Sequence, residues 1–219
     1  QGMSNARLFC LDDLPEVAES GSNRELKTAQ AITLPAVVTG KLNPEQTGYF
    51  KFAAKAGQRV SFDVLGRRLG GPIDPQLTVL DATGRELPNG FSNDAPGLQT
   101  DARLTMTFDK AGDYIVAVRD VSYRGGPDYV YRLRMGDFPC ATTAMPLAVK
   151  RGTKAKLAFA GPMIDGVAPV EVDVPATAEA IQVVPRGANG LAGWPVMVPT
   201  SDIEEAVEKE PNDTPAQPQ

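Results

Sequence analysis

Apolar and polar residues alternate with a period of two along much of the chain. Phe50 and Phe52 fall on one side of a run whose other side is Tyr49 and Lys51. Val60, Phe62 and Val64 alternate with Ser61 and Asp63, and Leu104, Met106 and Phe108 with Thr105 and Thr107. Tyr129, Tyr131, Leu133 and Met135 alternate with Val130, Arg132 and Arg134. Successive side chains of a strand point to opposite faces, so each run predicts a strand with one face in a core. Turn-forming stretches separate the runs: Lys55-Ala56-Gly57-Gln58, Asp81-Ala82-Thr83-Gly84, Lys110-Ala111-Gly112-Asp113 and Gly125-Gly126-Pro127-Asp128. Helical periodicity is nearly absent. Short strands at such spacing predict an all-β fold, an antiparallel sandwich with interdigitating inner faces.

The texture changes after Met135-Gly136-Asp137. Residues 146–199 hold fewer aromatics and more Ala, Val and Pro, with strands expected at Leu157–Ala160, Val170–Val174 and Trp194–Val198. This predicts a second, smaller β domain of immunoglobulin-like size, with 161–169 and 185–193 as loops. The two ends of the chain also match. Asp13-Leu14-Pro15-Glu16-Val17-Ala18-Glu19 has the pattern of Asp202-Ile203-Glu204-Glu205-Ala206-Val207-Glu208, and Asn23 falls opposite Asn212 in the same register. The Leu8–Leu11 segment, read as a strand, then stands opposite Met197–Thr200. Such an internal repeat suggests one period of a tandem array. The expected divisions are a last strand and linker in 1–15, a sandwich in 16–137, the smaller domain in 138–203, and an acidic linker opening a further sandwich in 204–219.

Charge and composition narrow the function. The chain of 219 residues carries a net charge of −5. Residues 202–213 hold six acids against Lys209 alone, so the remainder balances. A balanced surface lacks the basic stripe that nucleic acid requires, and the same argument weighs against an anionic membrane surface. No stretch approaches the length of a membrane-spanning helix, so no membrane insertion is expected. The first residues lack a basic region followed by an apolar run, so any export signal is expected upstream. There is no histidine, which removes the usual general base, the Ser-His-Asp arrangement and the commonest transition-metal ligand. Cys10 and Cys140 form no CxxC and offer no zinc site; in an exported chain they are candidates for a disulfide staple between domains.

Residues 24–136 resemble the bacterial pre-peptidase C-terminal domain, in the version found in large secreted proteins of planctomycete type. The resemblance is carried by Ala29–Pro35, Gly48–Phe52, Ala56–Gln58, Arg68–Gly70, Asp74–Leu77, Leu80–Leu87, Ala111–Tyr114 and Tyr131–Leu133, in that order. Glu208-Lys209-Glu210-Pro211-Asn212-Asp213-Thr214 resembles the motif that opens another copy. The resemblance implies a jelly-roll-like sandwich, export, and a non-catalytic accessory role. The segment that follows is similar to the Ig-like spacer alternating with these domains.

Members of that family that bind calcium use acidic and Asn ligands in the opening segment and acids before the Tyr-Phe strand. Here Glu19 and Asn23 remain, but Gly21, Arg24 and Gln46 stand at expected ligand positions. A guanidinium in place of a carboxylate puts a cation where the metal would sit, so the complete domain is expected to have lost calcium. Glu208, Glu210, Asn212 and Asp213 are the best metal candidates, as part of a calcium site that a following domain would complete; as they stand they read first as a solvated acidic linker. Asp74, Asp81 and Asp120 read as turn-capping carboxylates rather than a catalytic pair. Tyr129 and Tyr131 read as core, Trp194 as a possible sugar platform, and Arg67, Arg68, Arg132 and Arg134 as partners of acids on a solvent-facing sheet. No cofactor is expected.

The function that fits is a non-catalytic structural or adhesive module of a large secreted, periplasmic or cell-surface bacterial protein. The alternative is a carbohydrate- or matrix-binding accessory domain of a secreted hydrolase. The expected partners are other domains of the parent chain, a glycan, or a matrix or cell-surface protein.

Overall fold

The computed structural model describes residue 8, residues 10–203 and residues 205–206. The chain is all-β and divides into two compact units, Gln1–Phe138 and Pro139–Gln219.

Among the described residues of the first unit, ten strands form two five-stranded sheets. One has the order β1 (Glu16–Ala18), β3 (Ala36–Lys41), β10 (Val130–Gly136), β5 (Arg59–Leu65), β8 (Arg103–Thr107). The other runs β2 (Gln30–Ala31), β4 (Thr47–Ala54), β9 (Gly112–Asp120), β6 (Pro75–Asp81), β7 (Glu86–Ser92). From β3 onward the chain crosses repeatedly between the two, which makes a jelly-roll-like sandwich. The alternation seen in the sequence fills it: Phe50, Phe52, Val60, Phe62, Val64, Leu77, Val79, Val116, Val118, Tyr131, Leu133 and Met135 belong to one buried cluster. Phe52 packs on Phe62 and Phe108, with ring centroids 5.5 and 5.6 Å apart.

Most pairings are antiparallel, but the short strands β1 and β2 pair in parallel with β3 and β4. Both sit at sheet edges, where two or three residues suffice to cover the ladder. Between them the Gln30 side chain acts as a rung: its Nε2 donates to Ala18 O at 2.9 Å and its Oε1 accepts from Ser20 N at 2.7 Å. On the opposite side, Ser92 Oγ donates to Arg103 O at 2.8 Å and ties β7 to β8.

β5 departs from the half-buried pattern. Ser61 and Asp63, its polar side, are as buried as Val60 and Phe62. The outer face of this sheet is covered by the segment around Leu14, by a 3-10 turn at Arg67–Leu69, and by Phe138. Leu8, Cys10 and Leu11, expected as part of a strand, have no strand pairing; the segment that follows is fastened by Asp12 and Leu14 instead.

Among its described residues, the second unit holds two three-stranded sheets. Their orders are β11 (Thr143–Met145), β13 (Lys154–Ala160), β14 (Val170–Asp173), and β12 (Val149–Lys150), β16 (Val196–Ser201), β15 (Ala180–Val183). Its core is small: Ala144, Val149, Leu157, Val174, Val183, Val196 and Val198 are buried, with Phe159 partly so. Arg151 closes one end, donating to Ala178 O at 2.8 Å and pairing with Asp202 at 2.7 Å.

Candidate functional site

The terminal candidates Glu208, Glu210, Asn212 and Asp213 lie outside the described residues. The matching residues of the first unit are placed, and they form a compact polar node. Glu19 follows β1 with a side chain only 5% exposed. Its Oε1 accepts from Arg24 Nη1 at 2.8 Å, from the Tyr131 hydroxyl at 3.0 Å and from Asn23 Nδ2 at 3.2 Å. Its Oε2 accepts from Lys41 N at 2.9 Å. Arg24 Nη2 also reaches Lys41 O at 3.1 Å, and Asn23 Nδ2 reaches Tyr49 O at 3.2 Å. The guanidinium thus stands among a carboxylate and a main-chain carbonyl, supplying the positive charge that this buried acid needs. Asn23 Oδ1 is buried without a hydrogen-bond partner among the described residues.

Local sequence makes room for this node. A Cβ on Gly40 would lie 2.5 Å from Tyr131 Cζ and 2.6 Å from Glu19 Oε2; one on Gly48 would lie 2.8 Å from Glu19 Oε1. Burial, the Glu19 charge and the hydrogen bond to it raise the Tyr131 phenol well above its ordinary value, so it stays a donor.

A second charged centre lies under the turn at Arg67–Leu69. Asp101 Oδ1 accepts from Gly66 N at 3.1 Å and Arg67 N at 2.7 Å; its Oδ2 accepts from Arg68 N at 3.1 Å and Arg68 Nε at 2.8 Å. Arg68 Nη2 reaches on to Asp63 Oδ1 at 2.6 Å, and Arg103 Nη2 binds Asp63 Oδ2 at 3.0 Å. Burial pushes the Asp63 carboxyl up, but the Arg103 and Arg68 guanidiniums outweigh it and hold it at about 2. Register explains the convergence: Asp63 lies opposite Arg103 on one neighbour and Arg134 on the other.

Arg134 turns to Asp12, with Nε 2.8 Å from Oδ2, and its guanidinium carbon lies 4.3 Å from the Phe138 ring centroid. Arg132 pairs with Glu16 at 3.3 Å and Asp12 at 3.7 Å. Of the arginines expected on a solvent-facing sheet, Arg68, Arg132 and Arg134 pair with acids, Arg68 and Arg134 in the interior at 7% and 4% exposure, while the Arg67 side chain donates to Gly71 O at 3.3 Å. Arg67 alone of that set is exposed.

Of the carboxylates weighed for catalysis, Asp81 and Asp120 are occupied locally. Asp81 Oδ1 accepts from Thr83 N, Thr83 Oγ1 and Arg85 N at 2.6–3.0 Å, and the Thr83 hydroxyl leads in holding it below the usual range. Burial pushes Asp120 up, yet the Asp74 and Ser122 N–H groups and Arg124 together hold it below. Asp74 donates its N–H to that cap; its own carboxylate stands 4.0 Å from Arg124 Nη2 through Oδ2, and Oδ1 is buried without a hydrogen-bond partner among the described residues. No cluster of three or more His, Cys, Asp or Glu side chains able to hold a metal is present among the described residues.

Tyr131 is core and Tyr129 packs partly against it. Trp194 is half-buried. Cys10 is half-buried in the first unit and Cys140 buried in the second, both as thiols. Burial, then the Asp12 charge, raises the Cys10 thiol.

A surface aromatic that the sequence did not single out is Tyr123. It is 49% exposed, and the guanidinium carbon of Arg119 lies 4.2 Å from its ring centroid. The available signal was a lone Tyr in the turn that Asp120 caps, which periodicity does not register.

No family model matches the chain, and no curated relative matches it. Among solved structures, the chain is similar to the pre-peptidase C-terminal domain of a collagenase from Bacillus anthracis. That likeness has 19% identity and a TM-score of 0.37, covering 57% of this chain and 99% of that one. PliG, a periplasmic inhibitor of g-type lysozyme from Aeromonas hydrophila, is similar at 17% identity and a TM-score of 0.32, over 49% of this chain and 97% of that one. A β-glucosidase from Paenibacillus barengoltzii is similar at 13% identity and a TM-score of 0.24, over 57% of this chain but 13% of the enzyme.

Proposed function

We propose that the chain is a non-catalytic structural and adhesive module of a larger exported bacterial protein, and one period of a tandem array. The observation that carries this reading is the state of the buried acids. Glu19, Asp63, Asp101 and Asp120 are each bound by guanidinium or main-chain N–H donors. A general acid or base needs a proton to give or a lone pair to use, and these groups are committed to holding loops and strands in place. The chain also has no histidine to take over that role.

The repeat at the C-terminal end supports the array. Glu16, Glu19 and Asn23 anchor the opening of the first sandwich, and Glu205, Glu208 and Asn212 follow the same register. In that second set Glu210 takes the place of Gly21 and Asp213 that of Arg24. The internal cation is thereby replaced by further oxygen donors, a set suited to calcium once a following domain completes it.

Fractionation of the producing cells, with an antibody raised against the chain, tests the proposal. Signal in the envelope or medium, on a protein much larger than this chain, is the expected result; a cytosolic signal overturns it.

A further inference from the structure

The outer face of the sheet β2-β4-β9-β6-β7 is built differently from that of its partner sheet. Where the other face is covered by chain and ion pairs, this one leaves aromatics in the open. Register sets Tyr49, Ala117, Thr78 and Phe91 side by side across four strands. Phe50, Leu77 and Val79 point to the core, so Tyr49, Thr78 and Phe91 point outward. Phe91 is 46% exposed and Tyr49 half-buried. The row spans three strand spacings, about 14 Å.

One step along the strands lies the next row, where Arg119 pairs with Gln76 in register. Arg119 is fixed by three bonds: Nη1 to Asp120 O and Val121 O, both at 2.9 Å, and Nη2 to Gln76 Oε1 at 2.7 Å. The guanidinium carbon of Arg119 lies over the Tyr123 ring, and about half of the tyrosine remains exposed. Its backbone is held in the left-handed region at φ 57°, joined through its carbonyl to Glu45 N at 2.8 Å, and Glu45 is itself at φ 63°. Two adjoining non-glycine residues in this region are a costly arrangement that persists only where surroundings impose it, and such strain gathers at binding sites. The loops are locked: a Cβ on Gly125 would stand 2.1 Å from the Asn43 carbonyl carbon.

We infer that this face binds a saccharide, with Tyr123 as the main stacking platform and Phe91 and Tyr49 as flanking ones. The inference rests on reading the first unit as a binding module and names its ligand class. An aromatic face takes the C–H face of a pyranose ring, while amides, hydroxyls and guanidinium groups beside it take the hydroxyls; Gln76, Thr78 and Arg119 stand there for that purpose. A guanidinium already occupies the back of the Tyr123 ring, so a second cation in front is disfavoured and a neutral ring preferred. Polar and charged groups between the aromatics also differ from the desolvated centre that a protein partner needs. β-linked polysaccharides, whose rings expose axial C–H groups on both sides, are the class that fits a broad open face.

Depletion of the full chain from solution by microcrystalline cellulose, chitin and insoluble xylan, with gelatin beads as a protein surface, tests the inference. Retention by at least one polysaccharide is expected, with Tyr123→Phe retained alike and Tyr123→Gly weakened at least tenfold. Glycine accepts the left-handed backbone, so Tyr123→Gly should melt within a few degrees of the parent, which separates loss of the ring from loss of the fold. No retention by any polysaccharide, equal retention of Tyr123→Gly, or retention on gelatin alone overturns the saccharide face. None of these results bears on cellular location, so the proposed function stands or falls separately by fractionation.

Discussion

Arg134 Nε stands 2.8 Å from Asp12 Oδ2, joining the last strand of the first unit to the segment that precedes its first. Both side chains are almost wholly buried, at 5% and 4% exposure. Removing one member of such a pair strands the other charge in the interior. Asp12→Ala is expected to cost about 3 kcal/mol, read as a lower midpoint in urea unfolding followed by the first unit's tyrosines. Glu16→Ala, which removes an exposed and solvent-screened partner of Arg132, should leave that midpoint almost unchanged.

Acid should weaken the first unit through Asp63. Its folded pKa of about 2 lies below the unfolded value of about 3.9, so its contribution is complete above pH 4 and is lost as pH falls through 2. The shift corresponds to about 2–3 kcal/mol. Asp63→Asn lacks that contribution, so the stability gap between parent and variant should narrow by about that amount between pH 4 and pH 2. A gap independent of pH in urea titrations would contradict it.

Much of the first sandwich was legible because its inner faces obey a strict period of two: Phe50/Phe52, Val60/Phe62/Val64 and Tyr131/Leu133/Met135 all point where alternation sends them. The outer face of β5 was not legible. Asp63 reads as a solvent-facing residue in a strand pattern, and only the fold brings Arg68 over it and Arg103 beside it. Long-range charge pairing leaves no periodic trace. The same holds for Tyr123, whose exposure depends on the loop's backbone and on Arg119 behind it. The short strands β11, β12 and β15 were also missed, having too few residues to establish a period.

Arg24 is expected to do for Glu19 what a bound cation would. Arg24→Ala should lower stability by about 2 kcal/mol, since Arg24 is partly exposed and its pair partly screened. A chain ending at Ser201 should give no micromolar calcium heat by calorimetry, because both Glu19 oxygens already accept from protein donors. Micromolar binding in that shortened chain would refute the assignment.

Gly40→Ala should disturb the same node from the backbone side. The new methyl overlaps Tyr131 Cζ and Glu19 Oε2, and the fully buried tyrosine has little space in which to yield. A loss of about 2–3 kcal/mol is expected by thermal or urea unfolding, in the range for overpacked cores. A variant as stable as the parent would show that the node is looser than its geometry implies.

The placement of β1 and β10 on either side of β3 has a mechanical consequence. Glu16 and Arg134 both lie opposite Val37, so the chain enters and leaves the sandwich at one end of one sheet, about 10 Å apart. Everything folded between them hangs to the side of the tether, and adds almost nothing to its contour. Tension pulling those two points apart acts across the strands, peeling hydrogen bonds in turn rather than shearing a whole ladder at once. The Asp12–Arg134 latch takes the load first, and the aromatic core takes it last. Such a unit is a weak strut: force between its two ends unzips it strand by strand.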